Sequence, residues 1–152
     1  MKKGQAALEF LTTYGWAFLV ILVMIGALAY FGVLNPQKYL PEKCIITTGL
    51  DCTDWQITKG ATSYARVHIT NNLGSTITYI NMTSTSCSTV AVNNSGISSG
   101  VSFDMVCTIP AATLTASVGD KFKMPLAFAY TKSGGTYPKT AYGELFATVQ
   151  QG

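Results

Sequence analysis

The feature that most constrains this chain is "FLTTYGWAFLVILVMIGALAYFGVL", residues 10–34, which holds no ionisable side chain other than tyrosine. As a helix rising 1.5 Å per residue it reaches about 37 Å, enough to cross a bilayer core of about 30 Å. Lys2 and Lys3 lie just before it, so the positive-inside rule puts the N-terminus in the cytoplasm and the rest of the chain outside. Gly15, Gly26 and Gly32 are tolerable within the helix, and small residues let neighbouring helices approach closely. Asn35-Pro36 and Pro41 are expected to stop it, because proline lacks the amide donor and its predecessor avoids helical geometry. The segment reads as a single spanning helix or a signal sequence.

With 152 residues there is room for one ordinary domain beside that segment. Beyond a short stiff hinge, "NPQKYLPEK", the composition turns to Thr, Ser, Val, Ile, Tyr and Gly. Period-two runs recur between turn signals: "SYARVHIT", "TITYINMTSTS", "STVAVNNSG", "GVSFDMVCTI", "ATLTASVGD", "KFKMPLAFAYT" and "AYGELFATVQ". Short alternating runs about ten residues apart indicate an antiparallel sandwich or barrel, and seven or eight in about 110 residues fit an immunoglobulin-like size. The expected fold class is α+β: a long N-terminal hydrophobic helix followed by an all-β immunoglobulin-like sandwich. Residues 5–34 form the helix, 35–43 the hinge and 44–152 the sandwich.

Net charge is +3, and Lys2 and Lys3 supply two of those charges, which leaves no basic patch for nucleic acid. Cys44, Cys52, Cys87 and Cys107 all follow the apolar run. An even count in an exported domain reads as two disulfides with three possible connectivities, of which the sequential pairing Cys44–Cys52 and Cys87–Cys107 is the first expectation. His68 is the only histidine and the cysteine spacing suits zinc poorly, so neither a metal nor a cofactor is expected. His68 within "YARVHIT" reads as a sheet residue with a satisfied ring. The acids show no paired-carboxylate spacing, and the glycine-rich turns lack a P-loop ending, so the chain does not read as an enzyme. Asp54-Trp55 after Cys52 reads as a core tryptophan beside a disulfide. Asn81-Met82-Thr83 and Asn93-Asn94-Ser95 are candidate glycosylation acceptors.

Three readings of the N-terminus compete. As a plain anchor, the helix keeps Glu9 as an interfacial charge favoured by the helix dipole. As a secretory signal, Ala27-x-Ala29 permits cleavage before Tyr30, although residues 10–26 already exceed the usual apolar region of about 7–15 residues. The third reading rests on "KKGQAALEFL", which resembles the class III signal peptide of archaeal type IV pilins: a basic leader ending in glycine, then glutamine, with glutamate fifth in the mature chain. Here Gly4 precedes Gln5, and Glu9 is fifth counting from Gln5.

That resemblance covers about the first 34 residues. It implies a leader, residues 1–4, with Lys2 and Lys3 as its basic flank, cut after Gly4 by a prepilin peptidase. The helix survives, leaves the membrane and polymerises as the core of a filament, with the assembly machinery as partner. Glu9 then becomes a registry device that pairs with the free amine of a mature N-terminus, its own or a neighbour's. Cyclisation of Gln5 to pyroglutamate removes that amine, and Glu9 must then turn to amides or to hydroxyls such as Thr12 and Thr13, or become neutral. The implied product is an extracellular adhesion pilus, a homo-polymer touching surfaces or other cells. An archaellin is the nearest alternative, though "QAALEFL" lacks its glycine-rich opening. A membrane-anchored external binding domain that never polymerises is the alternative from another class.

Overall fold

The structure, a computed structural model, describes residues 2–34, 36–47, 49–90 and 96–152. These fall into two compact units, residues 1–40 and 41–152.

The first unit is a single helix, α1, Lys2–Tyr30, followed by a 3-10 turn at Pro36–Lys38. It ends earlier than expected, and proline is not what ends it. Gly32 adopts a left-handed φ of 69°, a conformation with little steric cost only for glycine. Its amide donates to the Ala29 carbonyl and the Val33 amide reaches back to Leu28. That pair of bonds is the Schellman closure, which satisfies the last carbonyls of a helix. Gly32 is therefore the cap and lies outside the helix.

The second unit holds eight strands among the described residues: β1 Lys43–Ile46, β2 Leu50–Lys59, β3 Ser63–Asn71, β4 Ile77–Met82, β5 Thr89–Val90, β6 Ser102–Ile109, β7 Lys121–Lys132 and β8 Lys139–Gln151. They form one continuous, barrel-like sheet in the order β4-β7-β8-β2-β3-β6-β5, with β1 also on β8. The α+β class is as expected, but the pairing is not purely antiparallel. The first ten residues of β8 run antiparallel to β7. Its last three, Val149 to Gln151, run parallel to Ile57–Lys59 of β2. A strand of 13 residues is long enough to leave one half of the sheet and start the other.

Alternation sets the core. In β3, Ala65, Val67 and Ile69 are fully buried, and in β6 so are Met105 and Cys107. Leu50, Ile57, Ile80, Met124, Phe128 and Leu145 complete the interior from the other strands. Burial of each such side chain contributes about 1.5–3 kcal/mol.

Two stretches depart from the sequence reading. "ATLTASVGD" was expected as a strand, yet residues 112–120 form turns and irregular chain. The Pro110 carbonyl takes the amides of Thr113 and Leu114, which turns the chain. Leu114 is then buried, and the Lys59 ammonium holds the Ala116 carbonyl at 2.6 Å. Conversely, β1 and β2 were not among the expected runs. Leu50–Lys59 carries a bulge between Cys52 and Asp54 that interrupts its alternation.

Candidate functional site

The helix is the first candidate surface. Gly4–Tyr30 is long and apolar enough to cross a membrane, as an anchor or a signal sequence would, and no residue of its apolar window is buried in the structure. Its large side chains, from Leu28 at 46% exposed to Tyr30 at 86%, point outward around the whole circumference. A helix that is hydrophobic all round belongs in lipid or among other helices. Phe10 and Tyr14 stack one turn apart with centroids 4.6 Å apart.

Glu9 is the one charge within Gly4–Tyr30. The Thr13 hydroxyl donates to the Glu9 backbone carbonyl at 2.8 Å. The Thr12 hydroxyl is shared between the carbonyls of Leu8 and Glu9, 3.0 Å from each. Each hydroxyl has a single proton, and both are committed to the backbone, as threonine in a helix favours. In this arrangement neither hydroxyl donates to the Glu9 carboxylate. Among the described residues the carboxylate has no hydrogen bond or ion pair. Nor does the helix dipole account for it: Glu9 is seven residues in from Lys2 (9 − 2), and the dipole acts within the first turn. Gly4 and Gln5, the proposed cleavage junction, are exposed and helical, and Lys2 and Lys3 share the same helix.

In the β unit the four cysteines form two disulfides, Cys44–Cys52 and Cys87–Cys107, with Cα atoms 5.8 and 5.5 Å apart. Trp55 packs partly buried against the core. His68 lies in β3 with its Nδ1 2.6 Å from Asp104 on β6, a surface pair between facing residues. The pair lines a polar groove of about 470 Å³ together with Asp54, Gln56 and Arg66. No group of three metal-ligating side chains occurs among the described residues.

β1 is tied down closely. Lys43 and Lys123 reach Glu144 from either side at 3.0 and 2.7 Å. The Lys123 and Lys43 hydrogen bonds hold the Glu144 carboxyl below the usual range. Glu42, just before β1, accepts from the Thr148 hydroxyl and from its amide at 3.1 Å. The Thr148 hydroxyl is the main reason its pKa is also lowered. The Lys43 and Glu42 contacts were not readable from sequence, since both depend on β1 lying beside the C-terminal strand, whereas Lys123 meets Glu144 across the β7–β8 pair.

Asn81 sits in β4, half-buried, with its carboxamide unbonded among the described residues. Asn93 lies outside the described residues. A second groove, about 430 Å³, lies on the face of β7 and β8 between Thr83 and Tyr142.

No protein-family model matches this chain, and no curated protein does.

Proposed function

We propose that this chain is the precursor of an archaeal type IV pilin. In this reading the peptidase cuts after Gly4, the helix from Gln5 packs with copies of itself as the filament core, and the disulfide-bonded β domain forms the outer surface of an extracellular adhesion pilus. Glu9 carries the reading. A carboxylate without a partner, on a helix apolar all round, costs several kcal/mol wherever that helix is buried. Cleavage creates the one cation that could sit at its depth, the new amine of Gln5 on a neighbouring copy. A subunit docked out of step leaves that carboxylate unpaired, which makes Glu9 a registry device. If Gln5 cyclises, Glu9 must turn to an amide, to a hydroxyl such as that of Thr12 or Thr13 freed from its backbone carbonyl, or become protonated. Lys2 and Lys3 hold the leader in the cytoplasm until the cut.

The test is Glu9→Gln in cells producing the protein, with surface filaments counted by negative-stain electron microscopy. The proposal expects filaments to be lost or sharply fewer while the protein still reaches the membrane. Filaments in normal number and length would sink the registry role.

A second reading, a single-pass anchor carrying an external domain that never polymerises, is favoured by one observation: Gly4–Tyr30 alone is long enough to span a bilayer. In it Glu9 is an interfacial charge with no role in assembly.

A further inference from the structure

The outer face of the β1-β8-β7-β4 half of the sheet divides in two. One end carries Lys43, Lys123 and Glu144, with Lys121 over the Phe146 ring at 5.5 Å. Toward the other end, short of Lys132 and Lys139 at the strand termini, lies a groove with no charged residue in its lining. The groove is lined by Thr83, Thr85, Pro125, Ala127, Thr140 and Tyr142 among others. A sheet face toward water is ordinarily polar, and alanine is depleted in strands. Here Ala127 stands opposite Tyr142, and Ala129 opposite Thr140 and Asn81. Ala127 floors the groove, Ala129 lies two residues further along the same face, and Tyr142, 65% exposed, walls one side. The other wall is Asn81 of β4 and Thr83 just beyond its end, two residues apart on the same face. With strands about 4.8 Å apart, the two walls are separated by roughly 10 Å.

A hydroxyl-lined trough with one exposed aromatic wall and no ionised group suits a neutral saccharide, whose ring has an apolar face for tyrosine and hydroxyls for threonine. The acceptor for one is already at the rim: Asn81-Met82-Thr83 is a glycosylation sequon. We infer that Asn81 carries an N-linked glycan whose first sugars lie along the Ala129–Ala127 trough against Tyr142. This rests on the reading of the β domain as external. The transfer joins the Asn81 Nδ2 to the sugar's anomeric carbon. The bond from that carbon to the phosphate of an activated glycosyl donor breaks, the phosphate leaves with the electron pair, and one amide proton passes to the transferase's base. The unbonded Asn81 carboxamide is available for that step, and the glycan shields the patch that would otherwise be open.

The experiment uses the full chain purified from its native cells beside Thr83→Val and Asn81→Gln. Mass spectrometry of the peptide containing Asn81 is expected to show a saccharide increment that both variants abolish. Nitration of Tyr142 by tetranitromethane, followed by peptide mapping, is expected to be severalfold slower in the native protein than in either variant. An unmodified Asn81 overturns the inference. A glycan on Asn81 with Tyr142 nitrated equally fast in all three overturns its seating in the trough. Filaments are scored separately: a glycosylated chain that never polymerises fails the pilin reading alone, and a filament with bare Asn81 fails this inference alone.

Discussion

Gly143 on β8 lies so close beneath Ile45 on β1 that a Cβ at position 143 would collide with the Ile45 carbonyl oxygen. The same Cβ would stand 3.1 Å from the Ile46 Cα. Both neighbours are backbone, so no side-chain rotation relieves the clash. Gly143→Ala must push β1 away from β8 and loosen the Glu42–Thr148 and Lys43–Glu144 contacts at the same time. Overpacking of this kind costs about 1–3 kcal/mol. Thermal unfolding of the detergent-solubilised chain should therefore show a lower midpoint for this variant. An unchanged midpoint would mean that β1 can shift without loss.

Acid should weaken the same region. Both Glu144 and Glu42 have lowered pKa values, the first because of Lys123 and then Lys43, the second because of Thr148. A carboxyl whose folded pKa is depressed adds stability that is complete above its unfolded pKa, about 4.3 for glutamate, and is lost as pH falls through the lower folded value. Denaturant midpoints measured from pH 7 to pH 2.5 should fall below that point. The double variant Glu42→Gln/Glu144→Gln should fall less steeply. Parallel curves for the two proteins would remove these residues from the account.

Of the two disulfides, Cys87–Cys107 closes the longer loop, 20 residues against 8. In the chain-entropy view, cross-linking a loop of that length contributes about 3 kcal/mol, and the shorter loop somewhat less. Replacing Cys87 and Cys107 together by serine should destabilise more than replacing Cys44 and Cys52. The fully buried position of Cys107 adds to the cost, because a serine hydroxyl there lacks an assured partner. Urea midpoints of the two double variants give the order directly.

What could be read from the sequence was whatever repeats locally. The apolar run, the alternation in "SYARVHIT" and "KFKMPLAFAYT" and the even number of cysteines led to the helix, to β3 and β7 and to the disulfides. Long-range geometry was out of reach. The parallel meeting of β2 with the end of β8 joins residues about ninety apart, and nothing near Val149 marks it. "ATLTASVGD" alternates as a strand does, yet Pro110 and the Lys59 ammonium hold it as irregular chain. Glu9 stood out because it is the one charge in an apolar stretch. Its isolation needed the structure, because only there are the Thr12 and Thr13 hydroxyls placed against backbone carbonyls and away from its carboxylate. The trough beside Asn81 depends on the register of three strands, β4, β7 and β8, and alternation alone does not set that register.

The central claim is that the chain is cut after Gly4 and then polymerises through its helix. The N-terminal mass of protein recovered from sheared surface material tests this most directly. The account predicts a chain beginning at Gln5, as the free amine or as pyroglutamate, and the form found also decides whether an amine exists for Glu9. A chain beginning at Met1 would contradict the account and leave a plain anchor, and one beginning at Tyr30 would contradict it by removing the helix altogether.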